Sequence, residues 1–296
     1  MINLQLLFAI LFIAACSPKE KTALVNETKF RKGIKLAELK VNKLDELSGL
    51  AASINNPGLL WTQNDSGNGA DIFLIDQKLN LKQTYSLKGI DNRDWEDIAV
   101  GPGPDSTRNY IYIAEIGDND ASFRLKYIYR FEEPVWQKEE KKIKITVFDT
   151  ITFQLPDGIK DLETLMIDPN SKDLIVISKR ERPVYVYQIK YPYSIRDTIT
   201  ATKVGPLQLT QITAGDVSAD GSEVLLKNYK HIYYWHNTAE IPVVDLLKTT
   251  PREIPYEQEP QGESIAWARD NSGFYTISEK VQGKKSFLYF YERESD

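Results

Sequence analysis

Glu163-Thr-Leu-Met-Ile-Asp, residues 163–168, decides the fold, because the same acidic-then-apolar phrase stands at four other places in the chain. It returns as Glu46-Leu-Ser-Gly-Leu-Ala, Glu96-Asp-Ile-Ala-Val, Asp216-Val-Ser-Ala-Asp and Glu263-Ser-Ile-Ala-Trp-Ala. The leading acids are 50 residues apart from 46 to 96, then 67 to 163, 53 to 216 and 47 to 263. After each phrase comes a turn signal and a second β run: Leu59-Leu-Trp-Thr-Gln, Tyr110-Ile-Tyr-Ile-Ala, Leu174-Ile-Val-Ile-Ser, Val224-Leu-Leu-Lys and Phe274-Tyr-Thr-Ile-Ser. A third run then follows: Ile72-Phe-Leu-Ile, Tyr127-Ile-Tyr-Arg-Phe, Val184-Tyr-Val-Tyr, Ile232-Tyr-Tyr-Trp and Phe287-Leu-Tyr-Phe-Tyr. Antiparallel units repeated every 40 to 50 residues or so, with no 3.6-residue pattern between them, are the signature of propeller blades.

The reading is therefore all-β: a single β-propeller of five blades, with six as the alternative should one phrase have decayed. The oversized step after Glu96 calls for an outer hairpin, Ile143-Lys-Ile-Thr-Val-Phe followed by Ile151-Thr-Phe-Gln-Leu. The last unit ends at Asp296 after its third strand, and a spare strand, Ile34 to Val41, precedes the first unit. That spare strand is expected to complete the last blade and cover its edge. Composition agrees, since 16 Tyr, 11 Phe and 5 Trp suit half-buried pleated surfaces. A net charge of -5 and the lack of any long basic run exclude a nucleic-acid binder.

The first 15 residues, MINLQLLFAILFIAA, are apolar apart from Asn3 and Gln5 and stop at Cys16, the only cysteine. A bilayer span needs about 20 apolar residues, so this stretch reads as a secretory signal instead. Ile13-Ala14-Ala15-Cys16 resembles the bacterial lipobox, which implies cleavage and acylation at Cys16. The expected layout is residues 1–15 signal peptide, 16–32 lipidated cysteine and flexible tether, and 33–296 propeller. The body is then exported and lipid-anchored at the cell envelope. Ser17 is not the acidic residue on which inner-membrane retention often rests, so the outer membrane is favoured.

In a propeller the first strand of each blade lines the central channel, so equivalent residues meet around the axis. Glu46, Glu96, Glu163, Asp216 and Glu263 are accordingly expected to ring one mouth. Two carboxylates about 6 Å apart repel by roughly 2.8 kcal/mol at an effective dielectric near 20. Such a ring needs a bound hard cation, raised pKa values, or donors from backbone and basic side chains. Oxygen-rich clusters suit Ca²⁺, the expected cofactor. Loops on the same face add Asn64, Asp65, Glu115, Asp118, Asn119, Arg124, Lys179, Lys227 and Glu279 as candidate ligand-binding residues, with Arg180 and Asn228 beside them. With only two histidines, His231 and His236, neither a His-rich zinc site nor a Ser-His-Asp triad has supporting spacing.

The motifs Glu46-Leu-Ser-Gly-Leu, Asn64-Asp65-Ser66-Gly67, Asp94-Trp95-Glu96-Asp97-Ile98-Ala99, Ile116-Gly117-Asp118-Asn119 and Tyr129-Arg130-Phe131-Glu132-Glu133-Pro134 resemble a family of uncharacterised bacterial secreted or lipoprotein propellers. More distantly, the acidic repeats resemble propeller phytases, in which calcium ions and a basic site bind phosphate esters. The expected function is cation-assisted binding of a small polar or anionic ligand at one mouth. A calcium-dependent phosphoesterase, with Lys179 or Lys227 holding phosphate, and a scaffold that docks envelope proteins are the alternatives.

Overall fold

The computed structural model describes residues 29–138 and 142–294. Cys16, the signal segment and most of the tether lie outside the described residues. Among the described residues no helix is long and apolar enough to cross a membrane.

Among the described residues twenty-two strands form five sheets, each one blade. From the axis outward, blade 1 is Leu47–Ala52, Leu59–Asn64, Asp71–Asp76 and Leu81–Leu87, and blade 2 is Trp95–Pro102, Asn109–Glu115, Lys126–Glu132 and Asp149–Gln154. Blade 3 is Leu162–Ile167, Leu174–Ser178, Val184–Ile189 and Thr202–Leu207. Blade 4 is Ile212–Val217, Glu223–Asn228, Ile232–His236 and Arg252–Ile254. Blade 5 is Gly262–Trp267, Gly273–Ser278 and Phe287–Glu292, closed on the outside by Ile34–Glu38 from the other end of the chain. The five-bladed ring and its closure by an N-terminal strand are thus as expected.

Two details differ. The expected hairpin of residues 143–155 does not form. Lys142–Ile145 instead lies parallel to Leu81–Leu87 as a fifth strand of blade 1, whereas Asp149–Gln154 pairs antiparallel with Lys126–Glu132 in blade 2. The connection passes from one blade to its neighbour and covers an outer edge, as the two-residue strand Ile199–Thr200 does for blade 2. The folded body also reaches further towards the N-terminus than residue 33. Phe30 bridges to Arg293 and is buried among Tyr234, Trp267 and Phe274, so residues counted with the tether belong to the seam between blades 4 and 5.

Each pair of adjacent blades encloses its own hydrophobic cluster, five in all, and these clusters are the core. The inner strands are buried on both faces, which is why runs such as Leu174–Ser178 (LIVIS) do not alternate with polar residues. Blades are also stapled by buried carboxylates. Asp97 accepts Ile98 N and Leu165 N of blade 3, both at 2.9 Å. Asp216 accepts Val217 N at 2.9 Å and Trp267 N of blade 5 at 2.8 Å. Glu133, at the end of the third strand of blade 2, takes Ser53 Oγ (2.6 Å), Ile54 N (3.0 Å), Asn55 N (2.9 Å) and Trp61 Nε1 (2.8 Å) from blade 1.

Candidate functional site

Each inner strand shifts register near its first residues, between Ser48 and Leu50, Trp95 and Asp97, Leu162 and Thr164, Ile212 and Ala214, and Gly262 and Ser264. A bulge of this kind re-aims one side chain. The second residue of each inner strand is Ser48, Glu96, Glu163, Thr213 and Glu263 in blades 1 to 5; it is the bulged residue in blades 2 to 5, whereas in blade 1 the bulge falls one place later, at Gly49. The expected ring of five acids is therefore a ring of three. Glu46 stands two residues too early, is exposed and accepts from Asn68. Asp216 stands three residues further along its strand and belongs to the staple with Trp267. The two non-acidic members spend their hydroxyls on the next blade: Ser48 Oγ donates to Glu96 O at 2.5 Å and Thr213 Oγ1 to Gly262 O at 3.2 Å.

Around the three glutamates stand residues whose strand-edge position brings them to the same mouth. Asp94 and Asp161 immediately precede the inner strands of blades 2 and 3, and Asp65, Lys179, Tyr229 and Glu279 immediately follow second strands. Asp65, Asp94 and Glu96 can each offer an oxygen such that all lie within 4.8 Å of one another, and so can Glu96, Asp161 and Glu163. Glu96 is common to both triads. Asn92 fixes the first: its Nδ2 donates to Asn64 O at 3.0 Å and Asp65 O at 2.9 Å, while its Oδ1 accepts Trp95 N at 3.0 Å. Gly117 keeps the space open, since a Cβ there would stand 2.1 Å from Glu96 Oε1 and 2.6 Å from Asp94 Oδ2.

Burial drives the electrostatics. The Glu96 carboxyl is pushed well above its usual range by burial and then by Glu163, Asp65, Asp94 and Glu263. Burial likewise lifts Glu163 to about 8, with Glu263 and Asp161 adding to it and Lys179 opposing. Asp65 is lifted to about 6 and Glu279 to about 7, again mainly by burial with neighbouring carboxylates reinforcing it. No hydrogen bond or ion pair reaches the Glu96 carboxylate among the described residues, and Glu163 Oε2 is buried without a partner.

The cations are unevenly placed. Lys179 Nζ lies 2.7 Å from Glu163 Oε1 and 3.4 Å from Glu263 Oε1, over the Tyr229 ring, and Tyr229 OH donates to Glu263 at 2.5 Å. Arg180 Nε donates to Asp161 at 2.7 Å and its Nη2 to Asn119. Lys227 is withdrawn: it is fully buried, donates to Gly262 O and lies 3.6 Å from Glu259, which in turn accepts Tyr256 OH and Thr276 Oγ1.

Other candidates from the loops also hold the architecture. Glu115 accepts Trp95 Nε1 (3.1 Å) and Tyr129 OH (3.2 Å) and pairs with Arg93 at 3.2 Å. Asp118 caps its loop through Ser122 N (2.6 Å) and Phe123 N (2.8 Å) and pairs with buried Lys126 at 3.0 Å. Asn64 Nδ2 reaches Lys43 O, and Arg124 reaches Gln154. His231 is exposed beside Glu253. The mouth thus consists of Asp65, Asp94, Glu96, Asp161, Glu163, Glu263 and Glu279 with Lys179, Arg180 and Tyr229. Asp94, Asp161, Asn92 and Tyr229 were not anticipated. An Asp-x-Glu pair, Asp94-Trp-Glu96 and Asp161-Leu-Glu163, is the signal that could have found the first two.

No family model and no curated protein matches the chain. Among solved structures the chain is similar to the PQQ-bound form of aldose sugar dehydrogenase from Streptomyces coelicolor, with a TM-score of 0.53 and 10% identity over 90% of this chain and 99% of that one. At that identity the likeness is one of fold.

Proposed function

We propose that the protein is a lipid-anchored envelope propeller whose acidic mouth binds a hard divalent cation, Ca²⁺ foremost, and through it a small polar or anionic ligand. The observation that carries this reading is Glu96, a buried carboxylate that accepts no donor among the described residues and is shared by two oxygen triads. Ligand oxygens 2.3–2.6 Å from Ca²⁺ stand at most about 5 Å apart across the ion, the scale of the 4.8 Å envelope of each triad. A cation would also relieve a repulsion of about 3.5 kcal/mol per carboxylate pair at that spacing and an effective dielectric near 20.

Anchoring rests on the lipobox-like segment ending at Cys16. Phe30 pairs with Arg293, beyond the end of the strand Phe287–Glu292 that lies away from the acidic mouth. The chain enters the body on the side opposite the acidic mouth.

A phosphoesterase would need a basic group free to hold phosphate, whereas Lys179 is engaged by two glutamates and Lys227 by Glu259. A docking scaffold would need a continuous apolar face. The large apolar side chains exposed among the described residues, from Ile34 to Ile195, are scattered over several blades. Binding at the polar mouth is therefore the reading supported best.

The test is thermal unfolding of the full-length protein in detergent, first in EDTA and then with excess Ca²⁺, because an ion bound only by the native state stabilises it by RT ln(1 + [L]/Kd). A rise of several degrees that disappears in an Asp94→Asn/Glu96→Gln double variant supports the reading. No rise overturns it.

A further inference from the structure

The two triads that share Glu96 have the same oxygen spacing but differ in what already sits beside them. The Glu96–Asp161–Glu163 triad carries cations of its own: Lys179 Nζ is 2.7 Å from Glu163 Oε1, and Arg180 Nε is 2.7 Å from Asp161 Oδ2. Asp161 is further satisfied by Asp118 N at 2.8 Å on its other oxygen. Lys179 is held in place, since it also reaches Glu263 at 3.4 Å and lies 5.6 Å from the centroid of the Tyr229 ring. Among the described residues the Asp65–Asp94–Glu96 triad has no ion pair and its glutamate has no hydrogen-bond donor. Ser66 competes for its oxygens, through its N at 2.5 Å from Asp65 Oδ1 and through its side chain, which donates to Asp94. Gly117 leaves the room beside Asp94 and Glu96 that any other residue would fill.

We propose that the mouth takes a single divalent cation, held by Asp65, Asp94 and Glu96, and that the Lys179 ammonium occupies the place of a second ion at Glu96, Asp161 and Glu163. The inference rests on the cation-binding function proposed above and adds the stoichiometry, the ligands and the residue that sets both. A fixed ammonium offsets one negative charge permanently, whereas a divalent ion brings a second charge and open coordination positions. The exchangeable, ligand-accepting position is therefore on the blade 1 and blade 2 side of the mouth, between Asp65 and Gly117. A ligand arriving there completes the shell of a six- to eight-coordinate ion with its own oxygens, which selects chelating groups such as carboxylates, phosphates or vicinal hydroxyls.

The experiment is Ca²⁺ titration by calorimetry of the full-length protein in detergent, with the bound metal counted after desalting. Wild-type protein is expected to bind one ion. Asp94→Asn should weaken it at least tenfold, and Glu163→Gln should leave one ion bound. Lys179→Gln, checked for folding by its circular dichroism spectrum, should bind two ions, while Lys179→Arg should bind one. The Asp94 and Glu163 variants locate the ion even if Lys179→Gln does not fold. Two ions in the wild type, a single ion lost with Glu163→Gln but kept in Asp94→Asn, or a folded Lys179→Gln that still binds one would overturn this inference and leave cation binding standing. Absence of any bound ion in the wild type would overturn both.

Discussion

Glu96 and Asp97 are neighbours in the chain, on one inner strand and both almost completely buried, yet they are treated in opposite ways. Burial raises the pKa of each. For Asp97 the amides of Leu165 and Ile98 work against that rise, whereas the neighbours that act most strongly on Glu96 are carboxylates that add to it. Asp97 turns towards the next blade and is satisfied by the backbone; Glu96, re-aimed by the bulge, turns towards the mouth and is not. A buried carboxylate supplied with donors is part of the scaffold, and one denied them is held ready for a partner from outside.

The largest effect that sharpens this contrast is on the scaffold side. Glu133→Ala strips the acceptor from four donors of blade 1 and should cost about 3–5 kcal/mol in denaturant unfolding. Asp97→Ala leaves the Leu165 amide unpaired between blades and should cost about 1–3 kcal/mol by the same measurement. A loss under about 0.5 kcal/mol in both, the range of ordinary surface substitutions, would break the distinction.

On the mouth side the sign reverses with pH. Glu163 titrates near 8 in the folded chain against a usual 4.5, so the native state holds its proton more tightly than the unfolded chain. Its contribution is complete below about pH 4.5 and is lost as pH rises through about 8. In EDTA, then, the denaturant midpoint should fall between pH 5 and pH 8, and Ca²⁺ at pH 8 should restore it. A flat profile in EDTA would mean that the mouth is already compensated. A smaller effect is expected of Glu96→Gln, which in EDTA at pH 8 should stabilise the protein by about 1 kcal/mol through removal of like-charge repulsion. Glu46→Gln, at an exposed residue outside the ring, should change stability by less than about 0.5 kcal/mol and leave Ca²⁺ binding unaltered.

The blade count and the closing strand were legible because they depend on a spacing of about 50 residues, which survives small local shifts. The ring was less legible because it depends on register within one strand. The acidic phrase marks each inner strand, but Glu46 precedes the ring position of its strand by two residues and Asp216 follows its own by three. Blades 1 and 4 fill the ring position with Ser48 and Thr213, whose hydroxyls look like nothing in particular until the next blade's carbonyl is seen beside them. Lys179 follows its second strand, whereas Lys227 lies within its own, two places earlier in register, and is locked behind Gly262. The strand Lys142–Ile145 was misplaced for a related reason. A β run next to another in sequence suggests a hairpin, but its partner, Leu81–Leu87, lies about 60 residues upstream.

The strand that completes blade 5 also has a mechanical meaning. Ile34–Glu38 runs antiparallel to Phe287–Glu292, with its first residue at the end nearest the preceding chain. A pull transmitted from upstream first meets the Phe30–Arg293 bridge and, once that yields, acts along this strand, across hydrogen bonds that lie perpendicular to it. The rungs from Ile34 to Glu38 are then loaded together in shear and do not open one by one. The same few residues that close the ring would serve as its strain relief, so that drag on a tethered body is spread over a whole sheet edge before any of it reaches the mouth.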